Sequence, residues 1–215
     1  MSQSSLWVMD KDFNGSEVTE YGNSWLFSPM VWDVLLDKYM RAEVQTPYGF
    51  KKSIITDFSG ELHRKLNGII NNCDNFYDRI IWEMSNQQVF FSKDKELIEN
   101  AIKEAIEKDS EFAKDDEEHI GTLKREHIKE RWLEIAKDIS EIDIEESPYF
   151  IFKNTSVDDG VECWFEKYSE ESEEYESCSL KELEKIVAEF VEIKANGEIK
   201  FIDNIKFFSK ESEEI

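Results

Sequence analysis

Pro148-Tyr-Phe-Ile-Phe-Lys153 and Val161-Glu-Cys-Trp-Phe-Glu-Lys-Tyr168 decide the reading of the fold. Both are dense in β-branched and aromatic residues, the composition of strands that pack one face against a core. Between them Asp158-Asp159-Gly160 has turn chemistry, with glycine free to take a positive φ. The second stretch runs into an acidic segment, Ser169-Glu-Glu-Ser-Glu-Glu-Tyr-Glu-Ser177. Next, Ser179-Leu-Lys-Glu182 has the Ser-x-x-Glu spacing of a capping box. The helix expected after it places Leu183, Ile186, Val187 and Phe190 on one face, and Asn196-Gly197 stops it. Glu198 to Phe208 alternates as a strand, with Ile199, Phe201, Ile205 and Phe207 on nearly one side. The expectation is an α+β fold of mixed helices and a small antiparallel sheet, closed by a C-terminal β-β-α-β module.

Upstream, Leu6 to Met9, Val18 to Tyr21 and Trp25 to Phe27 read as short strands, with a turn at Asn14-Gly15. Ser28-Pro29 has the form of a helix start and predicts a helix to about Met40. Ser53 to Phe58 is a further strand candidate. From Leu62 to Met84 apolar residues keep helical spacing but lose phase at Asn71-Asn72, which predicts one bent helix or two meeting near Cys73-Asp74. Gln88 to Phe91 is a strand. A helix follows with Leu97, Ala101, Ile102, Ala105 and Ile106 as its apolar stripe. A later helix is expected over His119 to Ser140, burying Leu123, His127 or Ile128, Trp132, Ile135 and Ile139. The intervening Lys108 to Glu118 is almost wholly polar. The division expected from it is an N-terminal α/β part (1–108), an exposed acidic linker (109–118), and a helix with the C-terminal module (119–215), the alternative being one continuous domain.

Composition bounds the function. Hydrophobic residues make up 40% of the 215 and aromatics 13%, enough for a core despite 35% charged residues. Cys73, Cys163 and Cys178 are odd in number and widely spaced, so no disulfide framework is expected. The N-terminal residues lack the basic flank and apolar run of a signal peptide, and Trp25 to Leu36 is too short and too interrupted to span a bilayer. These features predict a cytoplasmic protein. The net charge of −23, from 49 acidic and 26 basic residues, repels nucleic-acid backbones and anionic lipid and attracts basic partners. A bias to Lys, Ile, Asn and Glu resembles an AT-rich bacterial or phage coding sequence.

Catalytic signatures are missing from the sequence: there is no phosphate-binding glycine loop, no dinucleotide fingerprint and no nucleophile elbow. His119 and His127, eight residues apart on the expected helix, could share a face beside Asp116 and Glu130, but the paired Glu-x-x-His motifs of a carboxylate metal site are incomplete. His63 beside Arg64 reads as a boundary residue. Cys178 precedes the expected helix start, which would lower its pKa, while Glu174 and Glu176 oppose that. Asp10-Lys11-Asp12 with Asn14-Gly15 begins like a calcium loop, but Tyr21 stands where the bidentate acid belongs. No catalytic residue, metal or cofactor is assigned.

Aromatic anchors set among carboxylates remain as the candidate site. Tyr149, Asp158, Asp159, Trp164, Tyr168, Glu170, Glu171, Glu173, Glu174 and Tyr175 would dock a basic protein, a toxin or nucleic-acid-binding enzyme, with no direct contact to nucleic acid or membrane. The function expected is a stoichiometric inhibitor: an immunity protein, an antitoxin or a phage anti-defence factor. The alternatives are a hydrolase or transferase that uses carboxylates with His119 or His127, and an adaptor subunit of a complex.

Overall fold

Ser4–Met9 (β1) and Gly15–Tyr21 (β2) form an antiparallel hairpin, and β1 also pairs with Tyr149–Asn154 (β6), 150 residues from Ser4 at its far end. Five further strands are Val89–Phe91 (β3), His119–Ile120 (β4), Leu123–Lys124 (β5), Glu166–Ser169 (β7) and Glu174–Ser177 (β8). Phe190–Ile193 (β9) and Ile199–Ile202 (β10) end the series. The helices are Ser28–Val44 (α1), Glu61–Ile70 (α2), Phe76–Ser85 (α3), Lys95–Lys108 (α4) and Arg125–Ser140 (α5). This computed structural model describes residues 3–108, 112, 118–120, 123–154, 164–182, 188–194, 197–204 and 207–208. The chain is an α+β protein, and among the described residues no helix is long and apolar enough to cross a membrane.

Two compact units share the chain, and each takes segments from both sides of residues 109–118. The first contains the chain up to Ser24, Gln87–Glu96 and everything from Asp138 on; the second contains Trp25–Asn86 and Leu97–Lys137. Of the expected linker only Phe112 and Glu118 lie within the described residues, and Phe112 is buried with its ring 4.8 Å from that of Trp132.

The first unit is built on a six-stranded sheet in the order β10-β9-β3-β6-β1-β2, antiparallel throughout except between β3 and β9. Every residue of β6 is buried, because it lies inside the sheet with a covered neighbour on each side. On one face an aromatic cluster gathers Phe13, Tyr149, Trp164, Phe165 and Phe190, with Phe207 stacked 3.9 Å from Phe190. The β1–β2 turn is fitted to this cluster. Phe13 has φ 65°, which turns its ring inward against Tyr149 at 5.0 Å. Gly15 is required by close approach: a Cβ there would lie 2.3 Å from the Phe165 ring, which is itself stacked on Trp7 at 5.0 Å.

The resemblance of Asp10-Lys11-Asp12 to an ion-binding loop has a local explanation. The Asp10 carboxylate accepts hydrogen bonds from the backbone N–H groups of Asp12 (2.8 Å) and Asn14 (3.0 Å) and from the Asn14 side chain (3.0 Å). Burial opposes ionisation of Asp10, but these bonds win and hold its pKa below the usual aspartate value. The carboxylate closes the turn that an ion would otherwise organise.

The second unit is helical. α1 starts beside Pro29 as expected but continues past Met40, whose backbone (φ −132°, ψ 20°) kinks it. α2 and α3 are the two helices separated near Cys73, and Asn75 caps α3 by accepting from the N–H groups of Tyr77 (3.0 Å) and Asp78 (3.3 Å). Buried tryptophans find polar partners: Trp82 donates to Asn67 (2.9 Å), Trp32 to Ser85 (3.1 Å) and Trp132 to the Leu26 carbonyl (2.6 Å).

Several elements depart from the sequence reading for identifiable reasons. Phe190 lies in β9, where Val191 and Ile193 are also buried, so this segment follows the sheet and not the expected helix. Glu166–Ser169 pairs with β8 and not with Pro148–Lys153, because β1 and β3 already occupy both edges of β6. Trp25–Leu26 is a 3-10 turn, and Ser53 to Phe58 forms turns. The turn at Asp158-Asp159-Gly160, together with Leu183, Ile186, Val187 and Ile205, lies outside the described residues.

Candidate functional site

The acidic segment forms an exposed antiparallel hairpin. β7 and β8 pair in the register Glu166↔Ser177, Lys167↔Glu176, Tyr168↔Tyr175 and Ser169↔Glu174. Residues 170–173 make the connection, and Glu173 takes φ 57°, a left-handed conformation that a non-glycine residue adopts at some strain. The loop is tied by hydrogen bonds from the Ser172 backbone N–H to Ser169 Oγ (3.3 Å) and from Ser172 Oγ to Glu176 (2.6 Å).

The hairpin base joins the core side. Phe165, buried with φ 73°, accepts a backbone hydrogen bond from Cys178 at 2.9 Å. Beyond it, the expected capping box is realised in one direction: Glu182 accepts from the Ser179 backbone N–H at 2.9 Å. The described element at that point is a single 3-10 turn, Leu180–Glu182. The other oxygen of Glu182 pairs with Lys167 at 3.0 Å. The Ser179 N–H and then the Lys167 bond hold Glu182 below the usual glutamate pKa, and Ser172 and Ser169 do the same for Glu176. Lys167, the single cation among residues 166–177, is therefore committed at the hairpin base, with its pKa raised chiefly by Glu182. Six glutamates stand against it in that segment.

Tyr168 and Tyr175 are directly opposed, their rings 5.5 Å apart in an edge-on arrangement, and are 55% and 69% exposed. Glu170, Glu171, Glu173 and Glu174 are exposed around them. The structure thus brings together six of the ten residues expected to bind a partner. Tyr149 and Trp164 are instead buried in the aromatic cluster, which removes both from the contactable surface. Asp158 and Asp159 lie outside the described residues. Trp164 and Tyr168 fall in one aromatic run, but β7 starts between them, and of the two only Tyr168 faces solvent.

The three histidines lie on three different elements: His63 on α2, His119 on β4 and His127 on α5. His119 is an exposed residue of β4 opposite Lys124, and His127 is exposed on α5, so the two do not share the helix expected for them. Only the later part of the apolar pattern becomes helical, because α5 begins at Arg125. His63 meets Asn86 at 3.1 Å and lies 5.0 Å from the Trp82 ring. Cys178 is buried, and burial followed by Glu182 raises its thiol pKa, so it lacks thiolate character. Glu182 and Glu166 do this, not the Glu174 and Glu176 expected from sequence. Cys73 is half-buried and its thiol donates to the Asn75 carbonyl; Cys163 lies outside the described residues. Among the described residues, no group of three or more His, Cys, Asp or Glu is placed to hold a metal ion.

No protein-family model matches the chain, and neither a curated protein nor a solved structure is similar to it at a significant level.

Proposed function

We propose that the protein is a stoichiometric inhibitor, of the kind formed by immunity proteins, antitoxins and phage anti-defence factors. It covers a basic nucleic-acid- or nucleotide-binding surface of a target protein in the cytoplasm. The observation that carries this reading is the β7–β8 hairpin, in which an exposed Tyr168–Tyr175 pair is ringed by glutamates whose one local cation is already engaged. Carboxylates at this density mimic the charge of a phosphate backbone and steer a basic partner. The tyrosines offer rigid, amphipathic contact area, the kind of residue that dominates binding energy in interfaces.

Affinity capture from the native host tests the reading. At low salt, immobilised protein should retain one basic protein in a 1:1 complex, which nucleic acid or nucleotide displaces competitively. A variant carrying Glu170→Lys, Glu171→Lys, Glu173→Lys and Glu174→Lys should not retain it. Capture of the same protein by both, or a ternary complex in which the partner keeps its nucleic acid, would overturn the proposal.

A further inference from the structure

The second unit contains a pocket of about 290 Å³ whose walls include Trp25, Pro29, Met30 and Ile55, with the carboxylate of Asp33 among them. Pro29, Met30 and Asp33 fall on one face of α1 at helical spacing, which is why an acid stands beside apolar neighbours. Trp25 and Ile55 are 43% and 38% exposed. No hydrogen bond is made to Asp33 among the described residues. Lys51 acts on it through space, but the Lys51 ammonium is paired with Asp37 at 2.6 Å. Burial raises the Asp33 pKa, with Lys51 opposing and Asp37 adding to the shift.

We propose that this pocket binds an arginine side chain of a protein partner. Its volume lies at the small end of the ligand-site range, which suits one long side chain. The apolar walls take the methylene stem, and Asp33 accepts from the guanidinium fork. Lysine satisfies the charge but not the fork. The net charge of −23 favours basic partners generally, and this pocket supplies a place where one basic residue is read. The proposal does not depend on the β7–β8 hairpin and fails separately from it.

The test is a titration of the full-length protein with N-acetyl-arginine-methylamide, followed by NMR at the Trp25 indole N–H and the Met30 and Ile55 methyl groups. Saturable shifts at these groups are expected, with Kd on the order of 1–10 mM for an isolated side chain. The citrulline analogue should produce none. Asp33→Asn should abolish the shifts while leaving the rest of the spectrum in place, which separates lost binding from lost folding. Equal shifts with citrulline, shifts that persist in Asp33→Asn, or the absence of saturation would each overturn the proposal. Equal or tighter binding of butylammonium would also overturn it, in favour of a free-amine site.

Discussion

Two hairpins of this protein use aromatic residues in opposite ways. In β1–β2 the aromatics turn inward: Phe13 is buried against Tyr149, and Trp7 stacks on Phe165. In β7–β8 the two tyrosines pair with each other and face solvent. The first hairpin has β6 as a further neighbour through β1, so its strands belong to a large sheet. The second is a separate two-stranded ribbon, an arrangement only marginally stable by itself in water. It is held by its base, through the Cys178–Phe165 bond and the Lys167–Glu182 pair. The contrast teaches that aromatic content alone does not locate a core. Apolar area on a weakly supported ribbon contributes little to folding and stays exposed to solvent.

The largest expected effect is on the inward hairpin. Phe13→Ala should destabilise the protein by about 3–5 kcal/mol in urea unfolding, since it removes a buried ring from a packed aromatic cluster. A loss below ~1 kcal/mol would mean that the two hairpins do not differ as described. Gly15→Ala should cost about 1–3 kcal/mol, because its new methyl group meets the Phe165 ring, which Trp7 holds from one side. A wild-type unfolding midpoint for this variant would show that the ring moves freely.

A smaller effect concerns Asp10. Its folded pKa is lowered, so its contribution to stability is present above the unfolded aspartate pKa and is lost as pH falls through the folded value. Asp10→Asn should therefore be less stable than wild type near pH 7, with the gap closing in acid. The group is only partly buried, so screening keeps the difference small. A gap independent of pH would assign the loss to side-chain shape and not to charge. The smallest effect belongs to the outward hairpin: Tyr168→Ala and Tyr175→Ala should each change global stability by about 0.5 kcal/mol or less. A loss of 2 kcal/mol from either would make the tyrosine pair a folding element and would remove the contrast.

Much of this was legible in the chain. The phase break at Asn71-Asn72 marked the gap between α2 and α3, and Pro29 marked the start of α1, since both are local signals. The α+β class followed from the mixture of periodicities. Strand partnership was not legible, because β6 chooses β1 and β3 across long sequence separations that periodicity does not encode. Phe190 illustrates the same limit: its spacing from Leu183 fits a helix, but the sheet edge at β3 recruits it as a strand. In the candidate site, the charge of residues 170–174 was plain from sequence. The split between buried Trp164 and exposed Tyr168 depended on where β7 begins.

The central claim is that the acidic hairpin steers and anchors a basic partner. Its most direct test is stopped-flow association with that partner over a range of ionic strength, comparing wild type with the variant in which Glu170, Glu171, Glu173 and Glu174 are lysine. Wild type should associate rapidly at low salt and slow steeply as salt rises, while the variant should associate at least about tenfold more slowly at low salt with a flat salt dependence. Dissociation should change much less than association. An unchanged association rate for the correctly folded variant at low salt would contradict the account.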